Sequence, residues 1–243
     1  MWKGEVVTRE WVAGNLQKSE KLLRSKLPTL LKDSKKEEWL IKLLKVFRKI
    51  EADSHLPGNY KSAILKLAFN PELHFTLENK QVTPGWLHKN PSEAVKLLKT
   101  SSPKWVKRLR NENWMEELAG VVAEVEKDER LDAEQRKAVV ALALNPEKPL
   151  MREGQEVTRE WVAANADLAI KLLDSSLPKW LNRLKGDSWL EEKQTELNQK
   201  RDKYLPKILV LWGQLGRGDI IDKGKVDELL LRPQEDVIQE VID

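Results

Sequence analysis

The sequence predicts an all-α, helical-repeat (solenoid-like) array of three 75-residue units, about five short helices each, with a divergent last unit. Three observations predict it: a 75-residue internal period, helix start and stop signals that return with that period, and the absence of any stretch alternating convincingly at period two. The period shows first in Thr8-Arg9-Glu10-Trp11-Val12-Ala13, which returns letter for letter at Thr158-Arg159-Glu160-Trp161-Val162-Ala163. Midway stands Thr83-Pro84-Gly85-Trp86-Leu87, which halves that offset to a 75-residue unit with no gap needed.

Further positions keep the register. Asn15, Asn90 and Asn165 align, as do Leu22-Leu23, Leu97-Leu98 and Leu172-Leu173, then Pro28, Pro103 and Pro178. Trp39, Trp114 and Trp189 form another column, and Leu30, Trp105 and Trp180 one more. Copies one and two still agree at Asn70-Pro71-Glu72 and Asn145-Pro146-Glu147, whereas copy three departs after about residue 193. Divergence of a terminal copy suits an array, because its outer face meets water rather than a neighbour. The organisation expected is therefore 1–75, a basic first unit; 76–150, a second; 151–225, a third with a divergent cap; and 226–243, an acidic tail.

Within a unit the helices follow from their caps. Thr83-Pro84 offers an N-cap hydroxyl and then proline at the first helical position, where its missing N–H is harmless. Thr8 and Thr158 read the same way. Asn90-Pro91 opens a second helix carrying Ala94, Val95, Leu97 and Leu98, and Ser102-Pro103 a third carrying Trp105, Val106 and Leu109. A fourth runs from about Asn113, with Trp114, Leu118, Val121, Val122 and Val125 on one amphipathic face. The last starts at Asp132, with Gln135 placed for a capping box, and stops at Asn145-Pro146. It is apolar nearly all round, as is its counterpart 63–69, so both belong in the interior. The residues after each Asn-Pro, such as 146–155, are expected as the loop between units. Neither Asn-Gly nor Asp-Gly occurs to signal a hairpin, so almost no sheet is expected.

Ten tryptophans raise the prospect of base-stacking platforms or a cation cage. Eight of them fall in the repeat columns, which points to packing dictated by the unit. Trp2 and Trp212 stand outside those columns and are candidate partner-binding residues.

Composition bounds the chemistry. A hydrophobic content of 40% beside 34% charged residues describes an ordered chain rather than a disordered one. With no cysteine, thiolate nucleophiles and cysteine zinc sites are excluded; the three histidines, His55, His74 and His88, have no ligand spacing. Acidic pairs such as Glu116-Glu117 and Glu191-Glu192 recur beside a Trp column, as first-turn carboxylates would. The run 213–219 is glycine-rich but lacks the Gly-Lys-Ser/Thr ending of a phosphate loop, and reads as a loop in the cap. No catalytic constellation emerges, so a non-enzymatic protein is expected, without cofactor, metal or small-molecule substrate. The N-terminus lacks a secretory h-region and no apolar run approaches a membrane span, so a cytoplasmic, non-membrane location is expected.

Net charge is +4, but residues 1–50 hold 13 Lys/Arg against 6 Asp/Glu. On a helix running from about Lys35 to Ile50, Lys35, Lys42, Lys45 and Lys49 share one face, while Trp39, Leu43, Val46, Phe47 and Ile50 take the other. A solvated face explains this pattern; an anion-binding face is its functional alternative. The tail carries Val237, Ile238, Val241 and Ile242 among acids, fit to fold back over the last unit or to dock in a partner's groove as a helix. The function expected is a helical-repeat scaffold or adaptor that binds a protein partner. The alternative is a nucleic-acid-binding repeat protein using the basic first unit.

Overall fold

A computed structural model describes residues 1–30, 37–214 and 223–231, with the side chains of 29, 211–214 and 223–225 outside that description. The chain is mostly helical and divides into two compact units, Met1–Ala123 and Glu124–Asp243.

The first unit holds α1 (Arg9–Gly14), α2 (Leu16–Arg24), α3 (Leu27–Leu30), α4 (Glu38–Ala52) and α5 (Gly58–Phe69). After a two-stranded hairpin of β1 (Thr76–Leu77) and β2 (Lys80–Gln81) come α6 (Pro84–Lys89), α7 (Pro91–Leu98), α8 (Ser102–Arg110) and the start of α9 (Trp114–Lys127). The second unit continues with α10 (Ala133–Leu144) and a hairpin of β3 (Met151–Arg152) and β4 (Gln155–Glu156). Then follow α11 (Arg159–Ala164), α12 (Ala166–Leu173), α13 (Leu177–Lys185), α14 (Trp189–Gln214) and α15 (Lys223–Leu231).

Equivalent letters make equivalent local bonds. Thr8, Thr83 and Thr158 each accept from the backbone N–H of Trp11, Trp86 and Trp161 at 3.1 Å, the N-caps expected of them. Asp132 and Gln135 close the capping box in both directions. Asn90 acts otherwise than expected. Its side chain makes no N-cap bond; instead Nδ2 donates backwards to the Trp86 carbonyl at 2.8 Å, as Asn15 and Asn165 do to Trp11 and Trp161. With proline following at 91, the start of α7 has one orphan N–H fewer, and the amide is more useful closing α6. Ser102 is also displaced from its expected role: Ser101 is the N-cap by position, and Thr100 shapes the turn by donating to the Leu97 carbonyl and accepting from Ser102 N–H.

The hairpins are the element that sequence reading missed. Each turns on two residues in the left-handed region, Glu78-Asn79 and Glu153-Gly154, and Lys3-Gly4 repeats the geometry beneath an isolated Trp2–Glu5 bridge. Two consecutive positive-φ residues make the type I′ turn that matches strand twist. Its signal was hidden because lysine or glutamate stands first, and because strands of two residues leave no alternation to detect.

α5 and α10 are the interior helices expected. Tyr60, Ala63, Ile64, Leu65, Leu67 and Phe69 are buried on α5, which packs against α4, α1 and α8. Val139, Val140, Leu142, Ala143 and Leu144 are buried on α10, which packs against α13. The third sequence copy is rewritten as one 26-residue helix, α14, where the earlier copies break between α4 and α5 and between α9 and α10. The break at Asp53-Ser54-His55-Leu56-Pro57 is replaced at 203–207 by Lys-Tyr-Leu-Pro-Lys, preceded by strong helix formers; Pro206 is carried inside the helix. α15 then packs on α12 and α14. Gly213 and Gln214 of the expected cap loop belong to α14; residues 215–219 lie outside the described residues.

The tryptophan columns, expected as core or inter-helix packing, divide between buried and half-buried positions. Trp39, Trp114 and Trp189 are half-buried, and the fully buried residues are their successors Leu40, Met115 and Leu190, at 1%, 0% and 0% exposure. Trp161 and Trp180 are buried, while Trp11, Trp86 and Trp105 are half-buried. Leu30, in the Trp105 and Trp180 column, is 75% exposed.

Candidate functional site

α4 organises the surface that the sequence singled out. Leu40, Leu44, Phe47 and Ile50 face the core, Phe47 stacking on Phe69 with ring centroids 6.4 Å apart. A second stripe, Trp39, Leu43 and Val46, is spaced i, i+4, i+7 and stays half-buried. Sequence periodicity merges the two stripes, because both are apolar and adjacent on the helical wheel; only packing separates them. The half-buried stripe lines an open groove of about 710 Å³, together with Ala13 of α1 and Phe69 at the end of α5. Arg9 and Lys42 flank it, as do Glu10 and Glu72, and the Arg9 guanidinium lies 5.9 Å from the Trp39 ring centre.

Of the four lysines expected on the basic face, Lys42, Lys45 and Lys49 are exposed on α4, next to the exposed Arg48; Lys35 lies outside the described residues. Lys42 pairs with Glu38 at 2.9 Å, both side chains well exposed, a contact of little energetic weight. Trp2 is half-buried and meets Trp11 edge-to-face at 6.0 Å, with Lys3 Nζ 5.1 Å from its ring centre. The Trp212 side chain lies outside the described residues.

The second unit places residues of the same columns around a smaller cavity of about 280 Å³: Arg159, Ala163 and Trp189. Where the first unit has Lys42, Leu43 and Val46, this cavity has Glu192, Lys193 and Glu196, and Leu231 at the end of α15 lies at its edge. α15 is tied down by Arg201, whose guanidinium bridges Asp174 and the buried Asp227. Hydrogen bonds donated by Arg201 to these carboxylates, Asp227 first, hold the guanidinium more firmly protonated than usual.

A polar cluster occurs once in each unit with 75-residue spacing. In the first, Ser101 Oγ donates to Asp53 Oδ2 at 2.6 Å and the Trp105 indole N–H approaches the same oxygen at 3.5 Å. In the second, Ser176 Oγ donates to Asp128 Oδ2 at 2.7 Å and the Trp180 indole at 3.3 Å. Arg130 adds backbone and guanidinium bonds to Asp128, in the position where His55 offers Asp53 a backbone N–H. Both carboxyls are held below their ordinary range, Asp53 chiefly by the Ser101 hydroxyl, Asp128 chiefly by Arg130. Arg108 and Arg183 stack over Trp105 and Trp180 at 5.4 and 4.8 Å. No sequence pattern announced this cluster, since aspartate and serine are far apart along the chain in both copies; the repeat register was the available signal.

The cleft beside Asp128 and Trp180 is about 690 Å³, yet Arg183 pairs with Glu124 and Arg130 with Asp128. Charge there is largely matched within the protein, which suits a structural tie between the end of α9 and α13 more than a ligand field. Among the described residues no three His, Cys, Asp or Glu side chains gather as a metal site, and no helix is long and apolar enough to cross a membrane. His55 and His74 are exposed in separate turns and His88 lies on α6. The chain matches no family model, no curated protein and no solved structure.

Proposed function

We propose that the chain is a helical-repeat scaffold, built of three 75-residue units, that binds a protein partner through the groove between α1, α4 and the end of α5. The observation that carries this reading is the stripe Trp39, Leu43 and Val46, which stays half-buried and lines the open groove although the same helix already supplies a full core face. Apolar side chains left at the surface in a groove flanked by charge are the usual anatomy of a docking site. The array reading is supported by the recurrence, at 75-residue spacing, of the threonine caps, the asparagine C-caps and the Asp–Ser–Trp cluster.

The test is affinity capture from the native host with the wild-type chain and with Leu43→Glu, matched for helical circular dichroism. A partner retained by the first and lost by the second supports the reading; identical capture by both sinks it. A nucleic-acid role for the exposed Lys45, Arg48 and Lys49 predicts instead retention on heparin at low salt that falls steeply as salt rises.

A further inference from the structure

Resting on the groove as a docking surface, we infer the chemistry of its partner: an acidic amphipathic segment of another protein. Its apolar residues fill the groove, and its carboxylates lie along α4 on Lys42, Lys45 and Lys49 and reach Arg108 of α8. The three lysines are spaced i, i+3, i+7, so they run along the helix beside the apolar stripe Trp39, Leu43 and Val46. All three are exposed, and Lys42 itself lines the groove. Its pairing with Glu38 joins two well-exposed side chains and yields readily to a competitor. Lys45 and Lys49 form no ion pair with a described residue. Glu10 and Glu72 also line the groove, so its preference for anions is set along the α4 edge.

The repeat supplies the control. In the columns of Lys42, Lys45 and Lys49 the second copy has Glu117, Gly120 and Glu124, and the third has Glu192, Thr195 and Gln199, so neither holds a cation. A face needed only for solvation is served by either sign; here one sign is confined to the copy with the open groove. The change reaches the Asp–Ser–Trp cluster. In the second unit Glu124 neutralises Arg183 at 2.6 Å. The first unit keeps the same frame, with Ser101 and Trp105 on Asp53, and keeps the arginine as Arg108, 5.4 Å from the Trp105 ring centre. In the column of Glu124, however, it has Lys49. Arg108 is therefore exposed and makes no ion pair with a described residue. The neighbouring carboxylates are taken, Asp53 by its own donors and Glu51 by Arg24 at 2.8 Å. A guanidinium held over an indole with its fork free suits a carboxylate brought by a partner. A nucleic-acid backbone would meet the same cations but leave Leu43 and Val46 unused; a segment with one apolar and one acidic face uses both stripes.

The full chain is titrated by fluorescence anisotropy into a labelled peptide with leucine at i, i+4, i+7 and glutamate between. Three further probes accompany it: the same peptide with lysine for glutamate, the same with serine for leucine, and oligothymidylate. The leucine–glutamate peptide is expected to bind about tenfold tighter than either altered peptide, and less tightly as salt rises. Lys49→Glu and Arg108→Glu, both at exposed positions, should each weaken it about tenfold, whereas Lys171→Glu, an equal charge change in the second unit, should not. Equal affinity for the glutamate and lysine peptides, binding of neither, or an equal loss in Lys171→Glu overturns the inference. Tighter binding of oligothymidylate, lost in the same two variants, overturns it in favour of nucleic acid. Leu43→Ser, which removes apolar wall without adding charge, separates the two readings. If it loses the peptide while Lys49→Glu and Arg108→Glu do not, the groove stands and its acidic preference is excluded. If it keeps the peptide while they lose it, the docking groove fails and the inference with it.

Discussion

The indole N–H of Trp161 donates to Gln155 Oε1 at 2.9 Å, tying α11 to the hairpin before it. Trp11 makes the same bond to Glu5 at 2.8 Å. In the middle sequence copy the acceptor's position is held by Lys80, which has no lone pair to offer, and Trp86 Nε1 is buried without a partner. Lys80→Gln is therefore expected to stabilise the protein by about 1 kcal/mol, and Gln155→Lys to destabilise it by about 1–2 kcal/mol. Urea denaturation of the two variants checks both signs.

Asp128 provides the pH dependence. Its folded-state pKa is depressed, so its contribution to stability is complete above the unfolded value near 3.8 and is lost as pH falls through that value towards the folded one. Unfolding free energy measured by denaturant between pH 6 and pH 2 should drop in the acid limb, and Asp128→Asn should flatten that limb while lowering the neutral plateau. An unchanged acid limb in the variant would show that the carboxylate has no differential role.

Met115 and Trp114 exchange the importance that side-chain size suggests. Met115 is fully buried and Trp114 half-buried, so Met115→Ala is expected to cost about 2–5 kcal/mol through cavity formation, and Trp114→Ala less than that. Thermal and chemical unfolding of the two variants decides the order.

Arg201 holds α15 through the buried Asp227. Removing one partner leaves the other charge buried, so Arg201→Ala should cost about 3–5 kcal/mol, and Arg201→Lys part of that because the bidentate fork is lost. Hydrogen exchange should report early opening in 223–231 for both variants.

The sequence alone determined the helical class, the 75-residue period, the threonine caps, the capping box at Asp132 and the interior character of α5 and α10. Those features are local or periodic: a cap is read from neighbours three residues apart, and a buried helix from its own lack of a polar face. The hairpins escaped because their turns use glutamate and lysine at positive φ, tolerated only where the flanking backbone demands it. Tertiary structure alone decided which of the two apolar stripes on α4 enters the core and which lines the groove, since both satisfy the same helical spacing. It alone brought Asp53 to Ser101 and Asp128 to Ser176, because contact between positions so distant in the chain depends on how helices pack, and no property of either residue encodes its distant partner.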